Sequence, residues 1–243
     1  MRSTERFTGL ATIYGQARPS YPPELVRWCL EQASAPGLIV DLGCGTGIST
    51  RLFATTGHPV VGIDPNADML ATARGEGAQD YRMGTSEQSG LPDACADLII
   101  AAQAFHWFDL DRTFAEVERI ATARSACVAF WNVRLEDTPF MQGYETLLRT
   151  WSTQYEVNER AGRMINAIRE RAPHAELRAF MHAVPMDRAR VRNLALSSSY
   201  VKHGVEDIPV FLQALDALLD ATSSNGVVEM RYATRAIAWR VHG

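Results

Sequence analysis

The sequence predicts an α/β fold in which a mostly parallel sheet is covered by helices on both faces. Four apolar segments of strand length and one weaker strand candidate, residues 80–83, recur through the first half of the chain, and stretches with helical periodicity separate them. Such alternation is typical of parallel strands, because each crossover needs a connection long enough for a helix. The predicted strands are residues 38–42, 60–64, 80–83, 98–102 and 127–131.

The intervening helices are predicted from apolar residues that share one helical face. Ahead of the first strand, Leu25, Val26 and Cys29 follow two prolines and lie on one side of a helix. After the fourth strand, Phe114 and Val117 mark the apolar face of another helix. Both faces of the sheet are therefore expected to be covered.

The second half of the chain is less regular. Residues 132–171 are predicted to be mostly helical, and residues 177–184 are a candidate strand. Residues 210–219 have the pattern of an amphipathic helix. Residues 227–241 are predicted to form a long final strand or a hairpin.

Composition excludes several classes of function. The 243 residues carry a formal net charge of -4, and the basic residues are scattered among acids, which disfavours a nucleic-acid partner. No apolar run reaches the roughly 18 residues of a membrane span, and the opening MRSTERFTGL lacks the apolar segment of a signal peptide. The cysteines (Cys29, Cys44, Cys95 and Cys127) are widely spaced, which predicts neither a metal site nor a disulfide framework. We expect a cytoplasmic protein, either a monomer or a homodimer, with no metal and no membrane partner.

A glycine-rich segment follows the first predicted strand. Gly43, Gly45 and Gly47 stand in G-x-G-x-G spacing, and a loop without Cβ atoms can turn sharply and lie against a bulky ligand. The dinucleotide fingerprint G-x-G-x-x-G would place its last glycine one residue later, where this chain has Ile48. Asp64 ends the next strand, where a carboxylate can accept both hydroxyls of a ribose; capping of the following helix is the alternative role.

These residues resemble motif I and the ribose-binding segment of the class I S-adenosylmethionine-dependent methyltransferases. The resemblance covers roughly residues 40–131 and includes Asp41 to Gly47, Gly62 to Leu70, Gly84 to Glu87 with Leu91-Pro92, and Ala96 to Ile99. It implies a Rossmann-like, doubly wound and mostly parallel seven-stranded sheet, with an antiparallel strand near the C-terminus and a helical cap. It also implies S-adenosylmethionine as the cofactor, S-adenosylhomocysteine as the product and a small molecule as the acceptor.

Roles for particular residues follow from the same resemblance. Asp41 would orient the methionine amino group directly or through water, Asp64 would bind the ribose, and Thr85 and Ser86 would border the adenine. Thr85 departs from the acidic residue that many members of the family carry there. The implied cofactor-binding residues are Tyr14, Asp41, Gly43, Cys44, Gly45, Asp64, Pro65, Met69, Thr85, Ser86, Glu87 and Gln103.

A narrower resemblance, to the type 11 group that includes trans-aconitate methyltransferase-like proteins, lies in residues 14–22 and 103–109. The predicted acceptor-binding residues are Arg18, Tyr21, His106 and Trp107 from these segments, together with Trp131. His106 is the candidate general base for a hydroxyl acceptor, and Arg18 could orient a carboxylate, for which no base is needed. Packing is the alternative role for His106, and a structural ion pair is the alternative for Arg18. Further candidates for lining the acceptor pocket are Tyr144, Trp151, Tyr155, Tyr200 and His203.

We expect a single domain over residues 1–243. It would comprise an N-terminal segment (1–36) that covers substrate and cofactor, a cofactor-binding core (37–131), a helical cap insertion (132–172) and the C-terminal part of the sheet (173–243). The predicted activity is methyl transfer to a small molecule, at a carboxylate or hydroxyl oxygen. Two alternatives stay open, an NAD-dependent oxidoreductase and a non-catalytic protein that binds S-adenosylmethionine.

Overall fold

The computed structural model describes residues 18–33, 36–155 and 159–242. In this part of the chain, seven strands form one sheet with helices on both faces. The strands are β1 (Ile39–Leu42), β2 (Val60–Asp64), β3 (Asp80–Met83), β4 (Ala96–Ala102), β5 (Ala121–Arg134), β6 (Glu176–Asp187) and β7 (Val227–Arg240). The α-helices are α1 (Pro23–Gln32), α2 (Ile48–Ala54), α3 (Ala67–Glu76), α4 (Leu110–Ile120), α5 (Pro139–Trp151), α6 (Glu159–Arg171), α7 (Arg188–Leu196), α8 (Ser199–Gly204) and α9 (Ile208–Thr222), and a 3-10 turn spans Phe105–Trp107.

The sheet has the order β3-β2-β1-β4-β5-β7-β6. Strands β1 to β5 are mutually parallel, and β7 runs antiparallel to both β5 and β6. The predicted doubly wound, mostly parallel seven-stranded sheet is thereby confirmed. The strand order reverses beside β1, and in open α/β sheets this reversal opens a crevice at the carboxyl ends of the strands.

Two apolar cores lie on opposite faces of the sheet. One contains Val117 of α4 and Ile165 of α6, and the other contains Leu25 of α1 and Phe53 of α2. All residues of β1 and β2 are buried. Strands covered on both faces need such continuous apolar runs, which is why the sequence located them.

A third core lies beyond the sheet, where β6 and β7 extend past their neighbours. Tyr144 of α5 packs there with Phe211 of α9, Val191 of α7 and Met230 of β7. Helices α5, α7, α8 and α9 form this second layer, while α6 packs on the sheet. No helix of the described residues is both long and apolar enough to cross a membrane.

Several predicted boundaries and one predicted helix cap change in the structure. Strand β5 continues to Arg134 rather than ending near Trp131, because its pairing with β7 continues to the Arg134–Tyr232 pair. The final segment is the single strand β7, and no hairpin forms. Helix α3 begins at Ala67, after Asn66, whose side chain accepts hydrogen bonds from two backbone N–H groups of the first turn. The residue that caps helix α3 is therefore Asn66 and not Asp64.

A candidate site at the carboxyl ends of the strands

The loop between β1 and α2 needs its glycines for two different reasons. Gly43 has a φ angle of 70°, and a Cβ there would lie 2.6 Å from the Cβ of Ala104. Gly47 has a φ angle of 79°, and a Cβ there would lie 2.2 Å from the hydroxyl of Tyr81. Gly45, with φ 53°, has no atom within 4 Å of its would-be Cβ and lines a cavity. The loop thus presents bare backbone where a ligand can lie against it.

Asp64 ties this loop to the end of β2. One carboxylate oxygen accepts a hydrogen bond from the backbone N–H of Gly45 at 2.9 Å, and the other accepts one from Asn66 at 2.8 Å. Burial raises the pKa of Asp64, while these two hydrogen bonds oppose the increase. Each carboxylate oxygen keeps further acceptor capacity, and Asp64 lines the cavity.

Asp41 lies behind the loop and is fully buried. One oxygen accepts hydrogen bonds from the hydroxyls of Ser49 at 2.6 Å and Thr50 at 2.7 Å, and burial raises the pKa of Asp41 to about 6. The other oxygen has no hydrogen-bond partner among the described residues. Asp41 does not line the cavity, whereas Ser49 does. A ligand in this cavity would therefore not contact Asp41 directly. A contact through water stays a prediction.

The cavity has a volume of about 370 Å³ and lies at the carboxyl ends of the central strands. This volume is within the usual range for small-molecule sites. Apart from Asp41, every predicted site residue in the described part of the chain lines it, whereas Tyr14 lies outside the described residues. They are Gly43, Cys44, Gly45, Asp64, Pro65, Met69, Thr85, Ser86, Glu87 and Gln103 from the cofactor set, and Arg18, Tyr21, His106, Trp107 and Trp131 from the acceptor set.

The loop after β3 is held in place by hydrogen bonds to α4. The hydroxyl of Ser86 accepts a hydrogen bond from that of Thr113 at 3.1 Å, and both side chains are buried. A carboxylate oxygen of Glu87 accepts one from the backbone N–H of Asp109 at 2.9 Å. Burial disfavours ionisation of Glu87, but the hydrogen bonds outweigh it and its pKa is lowered. This edge of the cavity is therefore preorganised.

His106 lies in the 3-10 turn after β4. Its ring centroid is 4.6 Å from that of Trp107, and its Nδ1 has no hydrogen-bond partner among the described residues. Burial, together with the guanidinium of Arg160, lowers the pKa of His106 to about 4. The imidazole is therefore neutral near pH 7, and a neutral imidazole can accept a proton.

The comparisons with known proteins agree with this geometry. The family described as "Methyltransferase domain" matches residues 40–129, which contain the glycine loop, Asp64 and the β4 exit. A solved structure from Anaeromyxobacter dehalogenans, a proposed type II methyltransferase, has a TM-score of 0.73 and 26% identity, covering 92% of this chain and 98% of that one. Residues 40–129 therefore match a methyltransferase domain, and the fold of the chain is similar to that of this solved structure.

Two curated relatives match the chain over part of its length. An uncharacterized methyltransferase of Mycobacterium tuberculosis is 38% identical over 131 residues, which are 54% of this chain and 53% of the relative. The malonyl-[acyl-carrier protein] O-methyltransferase of Pectobacterium atrosepticum is 38% identical over 94 residues, which are 38% of this chain and 37% of that protein. The chain thus spans about half the length, or less, of these curated relatives.

The cavity also includes residues outside the predicted site set. Tyr155 and Tyr200, considered only as further candidates, line it, whereas Tyr144, Trp151 and His203 do not. Sequence reasoning missed Arg134 and Arg160, which also line the cavity. The signal for Arg134 would have been a strand prediction continued past Trp131.

Proposed function

We propose that this chain is an enzyme that transfers a methyl group from S-adenosylmethionine to an oxygen atom of a small molecule. The observation that carries the proposal is one continuous cavity that joins two chemically different halves. One half is formed by the glycine loop and the carboxylate of Asp64, and the other by His106 and two arginines, Arg18 and Arg134. A transferase needs such a cavity to hold donor and acceptor side by side.

The cavity residues fit the cofactor. Gly45 leaves room against its backbone, and Asp64 keeps acceptor capacity for two ribose hydroxyls. Thr85 and Ser86 would border the adenine, and the buried Met69 gives this end an apolar contact. When bound, S-adenosylmethionine supplies an electrophilic methyl group on a sulfonium centre. The remaining contribution of the protein is to orient the acceptor, exclude water and receive a proton where the acceptor is a hydroxyl.

An oxygen acceptor is supported by two observations. The Pectobacterium relative is named as an O-methyltransferase. The β4 exit, Ala102-Gln103-Ala104-Phe105, also lacks the Asn/Asp-Pro-Pro-Tyr/Phe sequence typical of enzymes that methylate amino groups. A carboxylate or a hydroxyl can each be accommodated, with His106 needed only for the hydroxyl.

Calorimetric titration with S-adenosylmethionine, S-adenosylhomocysteine and NAD tests the cofactor assignment. We expect both adenosyl compounds to bind and NAD not to bind, because the glycine spacing differs from the dinucleotide fingerprint. Binding of NAD alone would favour the oxidoreductase alternative. Binding of the adenosyl compounds without turnover of any small acid or phenol would favour a non-catalytic binding protein.

His106→Ala should lower turnover without affecting the binding of S-adenosylhomocysteine. For phenol acceptors we expect a loss of about 100-fold, the lower end for removal of a general base, and for carboxylate acceptors little change. Because the pKa of His106 is about 4, the rate with a phenol should fall only as the pH approaches that value, where the ring is protonated. Turnover is measured as release of S-adenosylhomocysteine.

The matched control is His174→Ala, since His174 is exposed and does not line the cavity. It should behave as the parent protein in both assays. Unchanged phenol turnover in His106→Ala would assign His106 to packing against Trp107.

A further inference from the structure

Aromatic side chains form much of the wall in the half of the cavity that contains Arg18, His106 and Arg134. Each of these rings belongs to a residue that is close to one of the three in the chain, in the β5–β7 ladder or through a hydrogen bond. In the described part of the chain, this aromatic wall consists of Tyr21, Trp107, Trp131, Tyr155, Tyr200 and Tyr232.

The hydroxyls of Tyr155 and Tyr200 are occupied by contacts within the protein. Arg134 donates a hydrogen bond to the hydroxyl of Tyr155 at 2.7 Å and to that of Tyr200 at 3.1 Å. The hydroxyl of Tyr155 in turn donates to Glu145, and the hydroxyl of Tyr200 is hydrogen-bonded to the side chain of Ser198. A ligand beside these two residues therefore meets their rings rather than free hydroxyl groups.

Several rings of the aromatic wall are held in place by their neighbours. The ring centroids of Tyr155 and Tyr200 lie 5.0 Å apart, and the two rings are arranged edge to face. The guanidinium of Arg160 lies 5.7 Å from the ring centroid of Trp107, and the ring centroid of His106 lies 4.6 Å from that of Trp107. Such a wall is preorganised, because a ligand has little further ordering of these side chains to cause.

The composition of the cavity lining favours a flat ligand in this half. Methionine is the flexible residue that lets a pocket adapt to an irregular apolar ligand, and among the described lining residues it occurs only as Met69, in the cofactor half. Two aromatic rings in edge-to-face or offset-stacked contact gain free energy beyond the apolar area that they bury. An aliphatic ligand gains only from the area buried.

We propose that the acceptor molecule contains an aromatic ring and that the aromatic wall binds this ring. The ring of the acceptor packs against the side chains of the wall in edge-to-face or offset-stacked contacts. This inference rests on the proposed methyltransferase function and adds the class of its acceptor. It concerns the body of the acceptor, whichever oxygen of that molecule is methylated.

The test compares aromatic compounds with their saturated counterparts on protein saturated with S-adenosylhomocysteine. Phenol with cyclohexanol, 3-phenylpropanoate with 3-cyclohexylpropanoate, and 2-naphthol with decahydro-2-naphthol are titrated by calorimetry. The saturated ring has at least as much apolar surface, so burial alone would not favour the aromatic member of a pair. We expect the aromatic member of at least one pair to bind about fivefold more tightly, which corresponds to about 1 kcal/mol.

Variants of the aromatic wall locate this preference. Trp107→Leu removes a ring that lines the cavity and should lower the preference by about threefold, whereas Trp107→Phe keeps a ring and should keep the preference. Tyr200→Phe should also keep it, because the ring of Tyr200 and not its hydroxyl contacts the ligand. The matched control is Trp151→Leu, since Trp151 is half-buried like Trp107 but does not line the cavity. It should show the preference of the parent protein.

The outcomes separate this inference from the function on which it rests. If S-adenosylhomocysteine binds but no aromatic compound of the panel binds more tightly than its saturated counterpart, the aromatic assignment is overturned and the methyltransferase proposal stands. A preference that Trp107→Leu retains in full, or that Tyr200→Phe loses, also overturns it. If S-adenosylhomocysteine itself fails to bind, the proposed function and this inference both fall.

Discussion

Asp64→Ala is expected to weaken the binding of S-adenosylhomocysteine by about 100-fold or more. The carboxylate accepts hydrogen bonds from the backbone N–H groups of Gly45 and Asn66, and under the proposed function it also accepts hydrogen bonds from the ribose hydroxyls. Hydrogen bonds to a charged group contribute about 1.5–3 kcal/mol each, and about 1.4 kcal/mol is a tenfold change in affinity. Losing two of them gives the expected effect, which calorimetry on the purified variant measures directly.

Two further variants distinguish ligand contact from loop support. Asp68→Ala removes an exposed acid from the first turn of α3 and should leave the affinity unchanged. Asp64→Asn keeps one oxygen that can accept from Gly45, so the unliganded protein should melt near the parent temperature while binding remains weak. An affinity in Asp64→Ala within about fivefold of the parent, about 1 kcal/mol, would show that Asp64 serves the loop alone.

The cofactor half of the site was predictable because it is local in sequence. Gly43, Gly45 and Asp64 lie on two consecutive strands and their loops, so one strand–loop–helix pattern predicts their proximity. The strands themselves were predictable for a similar reason. Residues 60–64 and 80–83 were predicted with the bounds that the structure has. For residues 60–64 the reason is that a short apolar run between turn residues suits a strand buried between helices.

The end of β5 was missed because its polar side chains have partners far away in sequence. The amide oxygen of Asn132 accepts a hydrogen bond from the hydroxyl of Thr234 at 2.6 Å, and Arg134 pairs with Glu145. Without those partners, an Asn and an Arg after an apolar run indicate the end of a strand. Tertiary contacts here outweigh local preference.

The grouping of Arg18, Arg134 and Tyr200 in the cavity could not be predicted from the sequence. Arg18, Arg134 and Tyr200 belong to three distant segments, and no spacing rule links them. They meet because β5 and β7 extend beyond the central strands and the helices of the second layer pack against that extension. The sequence offered Tyr200 as one of several aromatic candidates and gave no sign of Arg134.

Arg134→Leu is expected to lower the free energy of unfolding by about 3–5 kcal/mol, the usual cost of leaving one partner of a buried ion pair without its counter-ion. Glu145 is fully buried, and the side chain of Arg134 is only 14% exposed. Chemical denaturation of the unliganded protein measures the change. The control is Arg27→Ala. Arg27 forms an ion pair with Glu24, and their side chains are 68% and 58% exposed, so this pair should contribute less than about 1 kcal/mol.

The double variant Arg134→Leu/Glu145→Leu decides whether the loss comes from the uncompensated charge or from packing. If the charge is responsible, removing both partners should recover most of the stability, because apolar side chains can replace a buried pair at little cost. A double variant as unstable as Arg134→Leu would contradict this and assign the loss to packing around Tyr144 and Tyr155, whose rings lie under the guanidinium.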